Sequence, residues 1–212
     1  MKIALFGATG MIGQRILQEA VSRGHSVTAI VRDPSKITDT NPSITAAKGD
    51  VLDPKEVAEL VAEADAVVSA ISPGAGSNDI YIPAVNSLTA GLTEAGVKRI
   101  LFVGGAGSLE VAPGVQLVDA PDFPEIYKAR ALAMRDELEY IRTSDLDLDW
   151  TYVSPSAVIS PGERTGKFRV GGDQLLVDAA GKSSISAEDF AVAVVDEIEK
   201  AEHVKERITV GY

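Results

Sequence analysis

Three glycines near the amino terminus constrain the fold of this chain more than any other feature. Residues 3–13 read IALFGATGMIG, so a short apolar run is followed at once by the pattern Gly-x-x-Gly-x-x-Gly. Gly7 permits a tight turn after a strand, Gly10 leaves the backbone open to close approach, and Gly13 lets a following helix pack on that strand. The order of strand, glycine turn and helix predicts an α/β fold that opens with a βαβ unit.

Apolar runs of strand length recur along the chain and alternate with segments of helical periodicity. The predicted strands are Ile3–Phe6, Val27–Val31, Ile44–Ala47, Ala66–Ala70, Ile100–Val103, Trp150–Val153 and a last short one, Arg207–Val210. The predicted helices are Met11–Arg23, Pro54–Ala64, Ile80–Ala95, Glu125–Arg142 and Phe190–Lys200. Such alternation predicts a doubly wound Rossmann fold, a mostly parallel sheet with helices on both faces.

The pattern changes after the sixth predicted strand. Residues 154–165 are rich in Ser, Pro and Gly and predict a loop, and Phe168–Val177 predicts a hairpin that turns at Gly171-Gly172. Ser186 and Asp189 have the spacing of a capping box that opens the last helix. We therefore expect a small C-terminal hairpin and loop extension to the sheet.

Composition excludes several classes of protein. The 212 residues include 20 basic and 31 acidic side chains, a formal net charge of −11, so we expect no nucleic-acid or membrane partner. The absence of cysteine excludes thiolate catalysis and Cys-based zinc sites, and the two histidines lack metal-ligand spacing, so no metal site is predicted. No signal peptide, membrane span or linker is recognisable, so we expect one cytoplasmic domain over residues 1–212.

The glycine turn also predicts a ligand. The backbone N–H groups of Thr9, Gly10, Met11 and Ile12 lie at the mouth of a helix, where unpaired donors and the helix dipole attract phosphate. They supply local positive potential in a chain that is otherwise acidic. We expect a dinucleotide with its pyrophosphate over Gly7–Gly13, the alternative being a turn that serves packing alone.

The end of the second strand bears on the choice of dinucleotide. Arg32 stands about 20 residues after the turn, where an arginine binds a 2′-phosphate and an acidic residue accepts from a 2′-hydroxyl. Asp33 takes the ribose role if the register slips by one residue, and both side chains are otherwise solvated loop residues. We expect NADP(H) to be preferred, with NAD(H) as the alternative.

Four motifs together resemble a known group of proteins. They are Gly7-Ala-Thr-Gly10-Met-Ile-Gly13, Val31-Arg-Asp-Pro-Ser-Lys36, Gly49-Asp-Val51 and Val103-Gly-Gly-Ala-Gly-Ser108. Over essentially its whole length the chain is similar to the atypical short-chain dehydrogenase/reductase group of NAD(P)H-binding proteins. Within that group it most resembles the NADH-flavin reductases, and more distantly biliverdin reductase B and the NmrA-like regulators.

The resemblance implies further contacts to the cofactor. It implies that Asp50 contacts the adenine amino group and that Val51 offers its backbone to the same ring. It also implies that Ala70, Ile71 and Ser72, after the fourth strand, pass near the ribose and nicotinamide. Without the resemblance, Asp50 is equally well explained as a turn residue that closes the third strand.

The chain departs from the resembling superfamily at the catalytic residues. Typical members carry Tyr-x-x-x-Lys on the helix after the fifth strand and a serine at the end of that strand. Here Ala131 stands four residues after Tyr127, and Lys128 is adjacent to the tyrosine and points elsewhere on a helix. Gly104-Gly105 replaces the serine. The usual proton donor for carbonyl reduction is therefore absent.

This absence favours an acceptor that needs no proton from the enzyme. A flavin takes hydride at N5 and delocalises the charge, so the protein mainly has to hold two flat rings together. We expect the flavin to be a substrate, with Ser108 and Tyr127 as candidate catalytic residues and Ser154 and Pro155 lining the cofactor cleft. The structural alternatives are a turn cap for Ser108, a half-buried helix position for Tyr127 and a strand end for Pro155.

The leading hypothesis is an enzyme that transfers hydride from NADPH to a flavin or a similar flat, conjugated acceptor. The alternative from another class is a non-catalytic NADP(H) sensor, as among the NmrA-like relatives. A third, a sugar-nucleotide epimerase or dehydratase, is disfavoured by the missing Tyr-x-x-x-Lys pair and the short C-terminal region. We expect a small-molecule acceptor as partner and a monomer or homodimer, and residues 108–124 are either a lid or a long connection.

Overall fold

The computed structural model describes residues 1–73 and 76–212. Its strands are β1 Lys2–Phe6, β2 Ser26–Val31, β3 Ile44–Lys48, β4 Ala66–Ser69, β5 Arg99–Val103, β6 Glu110–Ala112, β7 Val115–Gln116, β8 Asp149–Pro155, β9 Val158–Ser160, β10 Arg169–Gly171, β11 Ser184–Ser186 and β12 Glu206–Gly211. Its helices are α1 Met11–Ser22, α2 Pro54–Val61, α3 Tyr81–Ala95, α4 Glu125–Thr143 and α5 Ala187–Lys200.

Eight strands form the central sheet in the order β10-β12-β8-β5-β4-β1-β2-β3. Seven of them run parallel, and β10 alone is antiparallel, paired with β12. From β1 the sheet continues with β2 and β3 toward one edge and with β4 and β5 toward the other. This change in the direction of strand order places the carboxyl ends of β1, β2 and β4 side by side. The predicted doubly wound α/β fold is confirmed.

Helices cover both faces of this sheet. Along β1, Ile3 and Leu5 belong to the core shared with α1 and α5, whereas Ala4 and Phe6 belong to the core shared with α2, α3 and α4. Each strand therefore buries successive side chains on opposite faces, which explains why the sequence shows continuous apolar runs without alternation.

The predicted hairpin over Phe168–Val177 is wrong. β10 pairs with β12, with Arg169 opposite Gly211, and Gln174 bridges Glu110 instead of returning along β10. The β12 strand is buried in the sheet and offers an open edge of backbone donors and acceptors, so pairing there outcompetes a two-residue turn followed by a short exposed strand.

The predicted cap of the last helix is confirmed. The Asp189 backbone N–H donates to the Ser186 hydroxyl over 2.9 Å, and α5 begins at Ala187, three residues before the predicted start at Phe190. A serine in this position satisfies one of the free donors of the first turn, so the cap and the helix start are fixed together.

Residues 108–124 form a packed connection in this structure. Strands β6 and β7 pair with each other, and Leu109 and Val118 are fully buried. The Glu110 N–H donates to the Asp173 carbonyl over 2.8 Å, and the Leu175 N–H donates to the Glu110 carbonyl over 2.9 Å. These bonds fasten the segment to the stretch that follows β10.

Candidate functional site

The glycine turn between β1 and α1 is required in part by close packing of the backbone. Gly7 has a φ of +82°, and a Cβ there would stand 2.3 Å from the Ala70 carbonyl oxygen. A Cβ on Gly13 would stand 2.1 Å from the carbonyl oxygen of Gly7. Side chains at these two positions would collide with backbone that cannot move, so packing alone explains both glycines.

Packing does not explain the middle glycine in the same way. Gly10 caps α1 with an ordinary φ of −74°, and a Cβ there would contact only the Gly7 carbonyl oxygen, at 3.3 Å. No side chain caps α1 and no acidic residue lies in its first turn. The Gly10 N–H is not one of the free donors expected from the sequence, because it donates to the Gly7 carbonyl over 3.0 Å. Among the described residues, the N–H groups of the first turn of α1 have no side-chain partner and remain available to an anion, the use for which an open Gly10 is suited.

A cavity of about 700 Å³ lies over this turn at the carboxyl edge of the sheet. The ends of β1, β2, β3 and β4 contribute to its lining. Ten of the predicted cofactor residues line it: Gly7, Thr9, Gly10, Met11, Arg32, Asp50, Val51, Ala70, Ile71 and Ser72. Ile12 and Gly13 lie behind them in the first turn of α1. The volume is in the range of pockets that hold small ligands and cofactors.

At the end of β2 the two candidate ribose residues have different surroundings. Arg32 is exposed, lines the cavity and forms no hydrogen bond or ion pair with any residue in the described ranges. The Asp33 carboxylate accepts from the Ser35 hydroxyl over 2.7 Å and from its N–H over 3.2 Å, and these bonds lower the pKa of Asp33. Asp33 is thus engaged in capping a short turn, whereas Arg32 is free to meet a ligand.

Asp50 closes a turn and also lines the cavity. One carboxylate oxygen accepts from the Leu52 N–H over 3.0 Å and so closes the turn after β3, while its own N–H donates to Glu56 over 2.8 Å. The other carboxylate oxygen makes no hydrogen bond to the described part of the chain, and Asp50 lines the cavity. A fixed carboxylate with one free oxygen is suited to accept from an exocyclic amine.

The segment after β4 forms the opposite wall of the cavity. The Ala70 N–H donates to the Phe6 carbonyl over 3.0 Å, which holds this segment against the end of β1. The wall continues from Ile71 and Ser72 through Pro73 to the residues that precede and open α3. A flat ligand in the cavity would therefore lie between this wall and the ends of β2 and β3.

Four further predicted residues lie outside this cavity lining. Ser108 is buried in the turn that leads into β6, and Tyr127 is 60% exposed in the first turn of α4. Ser154 is fully buried in β8, where its hydroxyl has no hydrogen-bond partner among the described residues, and Pro155 ends the same strand. Their part in binding or catalysis stays a prediction.

The end of β5 shows why a strand-end serine is absent. A Cβ on Gly104 would stand 1.9 Å from Cε1 of Tyr152, because the tyrosine ring fills the space that a side chain would need. The Tyr152 hydroxyl donates to the Met134 carbonyl over 2.9 Å and lies 3.1 Å from a carboxyl oxygen of Glu137. Neither Tyr152 nor Glu137 was a candidate from the sequence.

Glu137 is a buried acid on the inner face of α4. It is 3% exposed and shares that face with Leu138 and Ile141, so burial raises its pKa to about 8. The helical spacing of Glu137 from these apolar residues is the signal in the sequence that indicates an inward position on α4. In residues 1–73 and 76–212, no group of three or more His, Cys, Asp or Glu side chains could hold a metal ion.

The fold and the glycine turn define a dinucleotide-binding protein of the Rossmann type. The family model described as NAD(P)H-binding matches residues 7–201, and the chain belongs to this NAD(P)H-binding family. The resemblance stated from the motifs is confirmed at this level. Within the described ranges, no helix has both the length and the apolar character needed to cross a membrane.

Three solved structures are similar to the whole of this chain over nearly their own full length. A protein of Burkholderia pseudomallei named "putative exported protein" is 50% identical with a TM-score of 0.91, covering 100% of both chains. A "putative epimerase" of Bacteroides thetaiotaomicron is 42% identical with a TM-score of 0.92, covering 100% of this chain and 96% of its own. A "putative NADH-flavin reductase" of Streptococcus pneumoniae is 36% identical with a TM-score of 0.86, covering 100% of this chain and 99% of its own.

Proposed function

We propose that the protein is a reductase that transfers hydride from NADPH to a flavin or a similar flat, conjugated acceptor. The observation that carries the proposal is the end of β5, where Tyr152 occupies the space that a strand-end serine would need beside Gly104. A site that lacks this serine and also the Tyr-x-x-x-Lys pair, whose tyrosine is the usual proton donor, is poorly suited to protonate the alkoxide formed from a ketone. An acceptor that delocalises its charge avoids this requirement.

The proposed cofactor role rests on the cavity over the ends of β1 to β4. Free N–H groups at the start of α1 would hold the pyrophosphate, Arg32 the 2′-phosphate and Asp50 the adenine amine. The cofactor supplies hydride when bound, and these residues bind and orient it. Because Asp33 already accepts two hydrogen bonds from Ser35, a 2′-hydroxyl would have to compete with them, which favours NADPH over NADH.

The likeness to the Streptococcus pneumoniae protein named "putative NADH-flavin reductase" adds support for the acceptor class. A turnover screen tests the proposal. Purified protein is mixed with NADPH or NADH and with FMN, FAD, riboflavin, a quinone or a small ketone, and cofactor oxidation is followed by absorbance. We expect oxidation with flavins and the quinone, faster with NADPH, and none with the ketone. Turnover of the ketone alone would overturn the acceptor assignment.

A second candidate function is epimerisation of a sugar nucleotide, favoured by the likeness to the protein named "putative epimerase". That chemistry removes a hydride and a hydroxyl proton and returns both, so it needs a base where typical family members carry tyrosine. Ala131 stands at the lysine position after Tyr127, which is itself 60% exposed. Formation of an epimerised product from sugar nucleotides would support this candidate over the reductase.

Binding of NADPH without oxidation by any acceptor would instead support the sensor function. A direct titration of cofactor fluorescence separates this outcome from a protein that binds no dinucleotide. The screen, the sugar-nucleotide assay and the titration together therefore distinguish all three functions with one preparation of the full chain.

A further inference from the structure

Glu137 and Tyr152 form a buried polar pair beside the strand end where the acceptor is proposed to lie. Glu137 projects from α4 and Tyr152 from β8, and the two side chains are 3% and 0% exposed. The Tyr152 hydroxyl is 2.9 Å from the Met134 carbonyl oxygen and 3.1 Å from the Glu137 carboxyl. Neither side chain lines the cofactor cavity.

Hydrogen counting limits how this pair can bond. A phenol has one hydrogen, and two acceptors lie within reach of it, the Met134 carbonyl at 2.9 Å and the Glu137 carboxyl at 3.1 Å. When the hydroxyl donates over the shorter distance, to Met134, the contact with Glu137 is a hydrogen bond only if the carboxyl is protonated and donates to the phenol oxygen. The pKa of about 8 that burial gives Glu137 agrees with a neutral carboxyl at neutral pH.

The pair also supports the backbone at the end of β5. The ring of Tyr152 lies where a Cβ of Gly104 would be, and a Cβ on Gly105 would stand 3.1 Å from the Met134 sulfur. The Gly105 backbone forms a hydrogen bond with the Tyr152 hydroxyl. This bond lowers the pKa of Tyr152 and so opposes the increase that burial causes. A Cβ on Gly107 would stand 2.8 Å from the Ala131 Cβ. The backbone from Gly104 to Gly107 therefore rests directly on Tyr152 and α4.

This backbone stands next to the nicotinamide side of the cavity. β5 pairs in register with β4, with Phe102 opposite Ser69, so Gly104-Gly105 follows one strand and Ala70–Ser72 follows its neighbour. A flat acceptor stacked on a nicotinamide at Ala70–Ser72 would meet the turn at Gly104-Gly105. Movement of that turn would change the distance between the two rings.

We propose that Glu137 and Tyr152 are positioning residues that hold the Gly104-Gly105 turn in place for the acceptor, and that loss of the Glu137 proton displaces this turn. The inference rests on the proposed function for its effect on the acceptor. Deprotonated Glu137 can no longer donate to Tyr152. The Met134 carbonyl and the Glu137 carboxylate would then compete as acceptors for the single hydrogen of the Tyr152 hydroxyl. The hydroxyl must turn away from one of them, and the turn above it follows.

The other ionisable groups near the pair are a tyrosine and two arginines. Tyr81, at the start of α3, has its pKa raised by burial to about 12, and Arg130 on α4 lies near it. Burial lowers the pKa of Arg207 on β12, which is paired with Asp173, whose Oδ1 is 2.7 Å from the Arg207 Nε. Glu137 is thus the group of this cluster whose charge changes around pH 8.

Nuclear magnetic resonance of the isotope-labelled full chain tests the coupling without an acceptor. The amide shifts of Gly104 and Gly105 are followed from about pH 6 to about pH 10. We expect both to titrate with a midpoint of about 8 in the wild type. They should be flat in Glu137→Gln, whose amide still donates to Tyr152, and unchanged from wild type in Glu139→Gln, an exposed position on the same helix.

The kinetic arm measures the acceptor KM over the same pH range, with NADPH affinity as the internal reference. The wild-type acceptor KM should rise about five- to tenfold through the titration, and Glu137→Gln should keep the low value throughout. Tyr152→Phe retains the ring under Gly104 and should show a raised acceptor KM at every pH, with NADPH affinity unchanged.

The outcomes separate the two proposals. Amides that do not titrate, or that titrate equally in Glu137→Gln, overturn the inference whether or not the protein turns over. Amides that titrate as expected in a protein that oxidises NADPH with no acceptor support the coupling and overturn the proposed function. An acceptor KM that rises equally in wild type and Glu137→Gln overturns the positioning role.

Discussion

The two halves of the sheet's carboxyl edge are built in opposite ways. Over β1 to β4 the strand ends surround a cavity of about 700 Å³, where the donors at the start of α1 and the side chain of Arg32 have no partner among residues 1–73 and 76–212. Over β5 and β8 the space is filled, since the ring of Tyr152 occupies the place of a Cβ on Gly104. The open half is suited to bind a charged ligand, and the filled half is suited to shape a surface without supplying a charged group.

The buried acid of the filled half, Glu137, makes the free energy of unfolding depend on pH. The folded-state pKa of Glu137 is raised from 4.5 to about 8, so the folded protein binds this proton more tightly than the unfolded chain. Its stabilising contribution is complete below the unfolded pKa and is lost as pH rises through the folded value. We expect the wild type to lose about 4 kcal/mol relative to Glu137→Gln between about pH 5 and about pH 8. Denaturant unfolding at several pH values measures this, and parallel curves for the two proteins would contradict it.

A substitution at Gly13 tests whether this glycine of the turn is required by close packing. Gly13→Ala should lower the free energy of unfolding by about 3 kcal/mol, because its Cβ would stand 2.1 Å from the Gly7 carbonyl oxygen. The control is Gly172→Ala, where a Cβ meets nothing within 4 Å and a change of less than about 0.5 kcal/mol is expected. Equal stability of the two variants in urea would show that the close approach at Gly13 is not tight.

A substitution at Arg32 tests whether the positive charge in the open half binds the 2′-phosphate. Arg32→Ala should weaken NADPH binding by about 1.5–3 kcal/mol, the scale of a hydrogen bond between charged groups, and leave NADH binding nearly unchanged. Lys48→Ala is a matched control, since Lys48 is an exposed cation at the end of β3 outside the cavity lining. Calorimetric titration with both cofactors measures the difference. Equal losses for NADPH and NADH would remove the 2′-phosphate assignment.

The sequence predicted the open half better than the filled one for a physical reason. The turn at Gly7–Gly13 and the strand end at Arg32 use backbone geometry and local order, which a short stretch of sequence reveals. The contact between Tyr152 and Gly104 joins residues far apart in the chain and depends on how α4 packs on β8. The hairpin predicted at Gly171 failed likewise, because the partner of Gly171 is Thr209 in β12, 38 residues later in the chain.

The helix starts show the same contrast on a smaller scale. Ser186 and its partner Asp189 are three residues apart, and their cap was readable from the sequence. Glu137 has an acidic side chain at an inward position of α4, where polarity favours an exposed position and helical spacing a buried one. Only the packed structure shows that spacing prevails, because Tyr152 supplies a hydrogen-bond partner inside.

The central claim, that the glycine turn binds a dinucleotide, is tested most directly by NADPH titration of Gly10→Ala with its unfolding measured in parallel. A Cβ at this position adopts an ordinary φ of −74° and would stand 3.3 Å from the Gly7 carbonyl oxygen, a tight contact that a small shift relieves, so stability should fall by only about 1 kcal/mol. NADPH affinity should fall at least about tenfold, because the methyl group stands where the pyrophosphate approaches the free N–H groups. Unchanged NADPH affinity in a folded Gly10→Ala protein would contradict the account.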